Sequence, residues 1–287
     1  MGVIAPSRKH PKVTARRLRE KLLLTGCVQT NDPLILIRRG ASRMRFRISL
    51  FILLLPSIAT ADGLTDLRAA LGRLTATTPA HGSIEVTSTS RSNDEDKPNE
   101  GKASVGFEIG EGGLHIVYPR PMLAQATQEA RAEARDPERA TPVRTGASQI
   151  RPLHVADLLD GAAPLAILLE SAQLLQMKPA TLAGRPARLL LFKIVPKISK
   201  ADSKHVKKVD SALSVWIGDD GTPLGAEQST SVKAGFLLIS FDVGQKESWT
   251  YSRNGDRLTA TRHEETNKSD GLGQHETTRT LEVVRME

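Results

Sequence analysis

Cysteine occurs once in 287 residues, at Cys27, and aromatic residues make up only 3% of the chain. One thiol excludes an internal disulfide framework and any site built from paired cysteines. No uninterrupted apolar run approaches the ~20 residues that a helical membrane span requires. No Gly-x-Ser-x-Gly elbow is present, so the usual signature of an activated serine is missing. His263-Glu264-Glu265-Thr266-Asn267 and His275-Glu276-Thr277-Thr278-Arg279 both open like a zinc-protease helix, but neither has the second histidine four residues on. Both fall in segments with a strand pattern, where positions i and i+4 stand ~13 Å apart. Solvent-facing strand residues are therefore expected there, and no metal site. His81, His115, His154 and His205 are scattered without ligand spacing. Gly110-Glu111-Gly112-Gly113 joins two strands and opens no helix, which excludes a phosphate cradle. The sequence thus predicts neither a cofactor nor an enzyme; a hydrolase ranks third among the readings.

Positive charge is lacking in most of the chain, although the net charge is +8. Residues 1–61 hold 12 of the 40 Lys+Arg and only 2 of the 32 Asp+Glu. That leaves 28 basic and 30 acidic residues from Asp62 onward. A segment with that balance is not expected to bind nucleic acid. The lysines at 197, 200, 204, 207 and 208 read as a solvated basic loop.

Residues 44–61 follow the three-part plan of a secretory signal. Arg45 and Arg47 are basic, Ile48 to Leu55 are apolar apart from Ser49, Pro56 breaks the run, and Ala59-Thr60-Ala61 supplies small residues before Asp62. The expectation is export to a bacterial periplasm, cleavage after Ala61, and a single domain over 62–287. Residues 1–43 then read as a mis-assigned basic leader, with translation starting at Met44. Two rivals are weaker. Leu24-Thr25-Gly26-Cys27 matches a lipobox, but Glu20 and Lys21 shorten its apolar run to three leucines. Arg38-Arg39 is a twin-arginine pair followed by Gly-Ala-Ser rather than by apolar residues.

Periodicity predicts α+β architecture, rich in β. Leu64, Leu67, Leu71 and Leu74 form one stripe of a short helix. Strands are expected around Ile84–Thr87, Val105–Gly110 and Leu114–Tyr118, with residues 91–102 as a loop. Residues 121–147 are rich in Ala, Arg, Glu and Gln; they read as a poorly buried helix or mobile insert stopped by Pro137 and Pro142, then a loop. Val155, Leu158, Leu159, Ala162, Leu165, Leu168, Leu169, Ala172 and Leu175 keep a 3.6-residue period, which predicts two helices over 153–178 split at Gly161 and Pro164. Strands return from Thr181: 188–195, 209–217, 226–233, 236–243, 247–253, 257–265 and 276–285. Turns are expected at Gly218–Gly221, Ala234-Gly235, Asn254-Gly255 and Asp270-Gly271. About nine antiparallel strands cannot lie flat, so a strongly curved sheet or incomplete barrel covered by a few helices is expected.

Six of the eight aromatics beyond residue 61 come after Thr181. Trp216 alternates with Val215 and Ile217, which gives that strand apolar matter on both faces; Trp249 and Tyr251 share one face of theirs. One reading is an apolar groove between sheet and helices, with Leu158, Leu165, Leu168, Phe192, Trp216, Phe236 and Trp249 as its candidate ligand-binding residues. The other is single aromatics shielded by loops.

Two stretches carry a resemblance. One is the leading helix with strands ending in Gly113-Leu114-His115-Ile116-Val117-Tyr118-Pro119; the other is Leu213-Ser214-Val215-Trp216-Ile217-Gly218-Asp219-Asp220-Gly221-Thr222-Pro223-Leu224. Together with the order helix, strands, leucine-rich helices and long meander, the chain resembles the periplasmic lipoprotein-carrier superfamily, which includes LolA/LolB-like carriers and RseB-type domains. The resemblance implies an unclosed barrel with a helical lid over a cavity for acyl chains. The expected function is non-enzymatic binding of an apolar or acylated ligand, a lipid or lipoprotein. The alternative is a cell-envelope interaction or structural domain with a protein partner.

Overall fold

A computed structural model describes residues 62–287 apart from 95, 197, 199–202, 204, 237, 238 and 272. The leader and signal-peptide readings fall outside the described residues. Ten strands form one antiparallel sheet: β1 (Ala80–Ser92), β2 (Asn99–Gly110), β3 (Gly113–Val117), β4 (Ala172–Leu182), β5 (Arg185–Ile194), β6 (Val206–Ile217), β7 (Pro223–Phe236), β8 (Ile239–Asn254), β9 (Arg257–Gly271) and β10 (Gln274–Met286). Their order is β3-β2-β1-β10-β9-β8-β7-β6-β5-β4. The sheet is not closed, since β3 and β4 are its two edges. The one pairing between distant segments joins β1 to β10, with Ile84 opposite Val284 and Val86 opposite Glu282.

Five helices accompany the sheet: α1 (Gly63–Arg73), α2 (Arg120–Glu133), α3 (Pro142–Gln149), α4 (Pro152–Leu159) and α5 (Ala162–Glu170). The Asp62 carboxylate caps α1 by accepting from the Leu64 amide at 3.2 Å, and Leu67, Ala70 and Leu71 are its buried stripe. Asp66 in its first turn pairs with Arg188 of β5 at 2.7 Å. The same guanidinium donates to the Gly218 and Asp219 carbonyls, so one side chain ties α1, β5 and the β6–β7 turn together.

The sheet and helices bury two apolar clusters. The first gathers Leu67, Leu71, Leu165, Leu169, Leu190, Phe192, Leu213, Val215 and Ile217 under α1 and α5. The second gathers Ile84, Val86, Val105, Phe107, Val155, Leu158, Leu159 and Val284 under α4. Trp249 and Tyr251 of β8 are half-buried and pack against both. Between α4 and α5 the chain turns by 93°. A Cβ on Gly161 would collide with the Tyr251 ring and the Leu258 carbonyl, so only glycine lets the bend sit this close to the sheet. No single helix among the described residues is long and apolar enough to cross a membrane.

Several boundaries differ from the expectation. The 3.6-residue pattern of 153–178 ends at Glu170, and Ala172 already begins β4. Leu175 continues the period by spacing alone and is 62% exposed, on an edge strand. In the 121–147 segment α2 has no buried residue, as expected. Pro142, however, opens a second helix instead of ending the first; proline suits a first turn, whose amide needs no partner. Gly146 of α3 lies so close to the backbone of Lys102 and Ala103 that a Cβ there would clash. The stretches 236–243 and 247–253 belong largely to one 16-residue strand, β8. Gly235 stays paired, with Ser240, and the pairing runs on to Phe236 and Ile239.

The segment between α1 and β1 is pinned by the β8–β9 turn. Buried Arg257 donates to the carbonyls of Ala76, Thr78 and Leu159 at 2.7, 2.6 and 3.3 Å. Asp256 accepts from the Thr77 amide at 2.8 Å and from the Thr77 and Thr78 hydroxyls at 2.6 and 2.5 Å.

Candidate functional site

A groove of about 520 Å³ opens between α1 and α5. Leu71 and Leu74 line one side, with Ala162, Ala163, Ala166 and Leu169 on the other; Arg68, Thr75, Asp160 and Glu170 supply its polar lining. The gap follows from side-chain size. Two helices meet closely when large residues interdigitate. Here Gly72, Ala163 and Ala166 stand along the groove and leave it unfilled. Asp160 Oδ1, withdrawn from solvent, has no hydrogen-bond partner.

The candidate residues of the sequence reading are dispersed. Leu165 and Phe192 are buried in the first cluster, and half-buried Leu168 packs against it. Leu158 is buried in the second cluster. Trp249 touches both clusters. Trp216 lies on the opposite face of the sheet: Val215 and Ile217 on either side of it are fully buried, and it pairs in register with Leu189 and Gly225. The Phe236 side chain lies outside the described residues. Trp216 and Trp249 therefore do not share a cavity.

A second site was not legible in the sequence. His263 is 1% exposed, which corrects the expectation of a solvent-facing position; His275, by contrast, is exposed as expected. The cause is a bulge. Thr250 pairs with Arg262 and Tyr251 with Ala260, so Thr261 is an extra residue on β9. Leu258 and Ala260 face the core, and strict alternation would turn His263 outward. One inserted residue reverses the parity and aims His263 inward beneath α4.

There His263 Nδ1 meets Glu282 Oε2 at 2.7 Å. His154 Nε2, from α4, reaches the same carboxylate oxygen at 2.6 Å. The other nitrogen of His263 faces Glu247 Oε2 at 3.4 Å. The Trp249 ring stacks on the His263 ring at 5.3 Å. Glu247 also accepts from Gln245 at 2.7 Å, and Gln245 reaches Glu265 at 3.1 Å. Burial alone would disfavour a charged imidazole, but the hydrogen bonds it donates to Glu247 and Glu282 outweigh it and push His263 up to about 9. Burial likewise opposes the Glu282 charge, yet the two histidines hold its carboxyl down at about 2. His154, His263 and Glu282 offer three ligand atoms within 4.8 Å of one another, the only such group of three among the described residues.

Comparison with known proteins adds a distant likeness. The chain is similar to MucB in the crystal structure of MucB in complex with MucA(peri), with 10% identity and a TM-score of 0.21 over 78% of this chain and 93% of that one. No protein-family model matches the chain, and no curated protein sequence does.

Proposed function

We propose that the chain is a non-enzymatic binding protein of the bacterial cell envelope that holds an apolar or acylated ligand in the groove between α1 and α5. The groove carries this reading. At about 520 Å³ it falls within the range of small-molecule sites, roughly 300–1,000 Å³. Its walls are mostly leucine and alanine, with a guanidinium and two carboxylates among them. That arrangement suits a hydrocarbon chain inside and a polar group at the mouth. Each methylene withdrawn from water contributes ~0.8 kcal/mol, so affinity grows with chain length and needs no signature motif. The signal-like pattern of residues 44–61 supports an exported location.

The test is lipid extraction and mass spectrometry of the purified protein, together with uptake of a fluorescent fatty acid. Ala163→Trp and Ala166→Trp place a ring in the groove from exposed helix positions. Each is expected to lower uptake at least tenfold with an unchanged melting temperature. No uptake by the parent protein, or full uptake by both variants, would count against the reading.

A second reading is a partner-binding envelope domain that uses the β4 edge. Leu175 and Met177 on that strand are 62% and 41% exposed, and among the described residues no strand pairs with its outer edge, which suits strand addition. Lys178, Pro179 and the register shift between Leu174 and Gln176 confine any added strand to part of its length. Leu175→Lys would weaken capture of an envelope partner if this edge is used, and would leave fatty-acid uptake unchanged.

A further inference from the structure

The His263 cluster has the composition and convergence of a metal site. Three elements each send one donor to a common point: His263 from β9, Glu282 from the next strand, β10, and His154 from the distant α4. Two imidazole nitrogens converge on a single carboxylate oxygen, at 2.6 and 2.7 Å. In a tetrahedral zinc site, with bonds of roughly 2.0–2.2 Å, ligand atoms stand about 3.3 Å apart. Withdrawing the Glu282 carboxylate by less than about 1 Å brings both oxygen–nitrogen distances to that spacing, and the two imidazole nitrogens, within 4.8 Å of each other, close on the ion by a small rotation of the His154 ring.

The surroundings fit as well. A metal-bound histidine presents its second nitrogen to a carboxylate or carbonyl, which fixes the tautomer and the ring plane. Glu247 stands opposite His263 Nε2 in that role, and Trp249 stacks beside the ring at 5.3 Å, inclined by 23°. The β9 bulge that turns His263 inward is the kind of device found beside functional sites. Two carboxylates, Glu282 and Glu247, match the charge of one divalent ion when both rings are neutral. Two nitrogens and one oxygen favour zinc and its neighbours over magnesium or calcium, which prefer all-oxygen shells. His263 and Glu282 are 1% and 3% exposed, whereas His154 is 20% exposed, so an ion and a fourth, water ligand would enter from the His154 side.

We propose that His154, His263 and Glu282 bind one zinc-class divalent cation, with Glu247 as the positioning residue behind His263. This site is separate from the α1–α5 groove, and its test does not depend on lipid uptake.

The experiment strips the purified full-length chain with chelator, then titrates zinc by calorimetry and cobalt(II) by visible absorption. One equivalent is expected, with tetrahedral-type cobalt bands and a raised melting temperature. His154→Ala, at the most exposed ligand, should keep the fold by circular dichroism, lose the cobalt bands and weaken zinc binding more than tenfold. Glu247→Gln should weaken zinc by about tenfold and alter the cobalt spectrum while retaining one equivalent. His275→Ala, at an exposed His–Asp pair, should change neither. A parent chain that takes up no stoichiometric zinc overturns the proposal; the cluster is then a self-satisfied hydrogen-bond network. Zinc binding undiminished in His154→Ala overturns it too, by placing the metal elsewhere. If His154→Ala fails to fold, His154→Gln serves the same purpose and is read the same way.

Discussion

The two ends of the sheet solve the same packing problem differently. Under α1 and α5 the core is a large apolar cluster, from Leu67 to Leu258, whose one buried polar neighbour on the inward face of β6, Ser211, pairs with Thr230 at 2.9 Å, and the surplus space appears as a groove. Under α4 the apolar core of Ile84, Val86, Phe107 and Leu158 adjoins buried His263, Glu282, Thr280 and Ser88. The inward face of β10 shows the change within one strand: Val284, Glu282 and Thr280 are all buried, but only the first is apolar. An all-apolar layer gains stability without directional demands and tolerates a gap. A polar layer is stable only when every donor and acceptor is matched, and it fixes geometry in return. The first arrangement suits a shape-tolerant ligand, the second a small one held by precise contacts.

That contrast can be broken by exchanging the chemistry of the two ends. Leu165→Asp inserts a carboxylate at a buried position inside the apolar cluster. The expected cost exceeds about 4 kcal/mol, seen as loss of the cooperative urea transition; a stable variant would show that water reaches this layer from the groove. Glu282→Ala makes the opposite error by leaving two histidines facing each other without their acceptor. A loss of about 3–5 kcal/mol is expected from urea midpoints in chelator. The double variant Glu282→Met, His263→Leu should recover part of that loss, since a satisfied apolar pair costs less than an orphaned charge. If the double variant is the worse of the two, the polar layer contributes more than its own satisfaction. Trp216→Ala is the milder probe. The ring is half-buried and lies outside both clusters, so the expected loss is about 1 kcal/mol, with no change in fatty-acid uptake.

The sequence was most legible where one rule acts alone. The α1 stripe, the β1–β3 meander and the alternation of Val215, Trp216 and Ile217 follow directly from periods of 3.6 and 2. The β-rich class and the open curved sheet followed from counting strands. Legibility failed where two rules compete. Leu175 fits the helical period of the preceding helices but belongs to β4, because the helix ends at Glu170 and the chain must rejoin the sheet edge. His263 fits the outward parity of β9 until one extra residue, Thr261, reverses it. No local pattern around Thr261 announces that bulge; it shows only in the pairing of β8 with β9. His154 and Glu282, 128 residues apart, meet only because α4 folds back over the β1–β10 pairing, a long-range event that no spacing rule encodes. The α1–α5 groove was equally hidden, since it arises from the small residues Gly72, Ala163 and Ala166 rather than from any large one.

The smallest predicted effect tests the clamp shared by both ends. Asp256, in the β8–β9 turn, holds the segment that leads from α1 into β1. Hydrogen bonds from the Thr77 and Thr78 hydroxyls, then from their amides, keep its carboxyl far below the usual carboxylate range. A folded value below the unfolded one, about 3.9, means that the charged form favours folding. The contribution is complete above the unfolded value and fades as pH falls through the folded one. Asp256→Asn should therefore lower the urea midpoint by a constant amount from about pH 5 to 8. The gap between parent and variant should narrow steadily below about pH 4. A gap that persists unchanged at low pH would show that the turn acts through shape, with buried Arg257 alone pinning Ala76 and Thr78. A closing gap would show that a single half-buried carboxylate couples the groove helix to the strand that completes the polar layer.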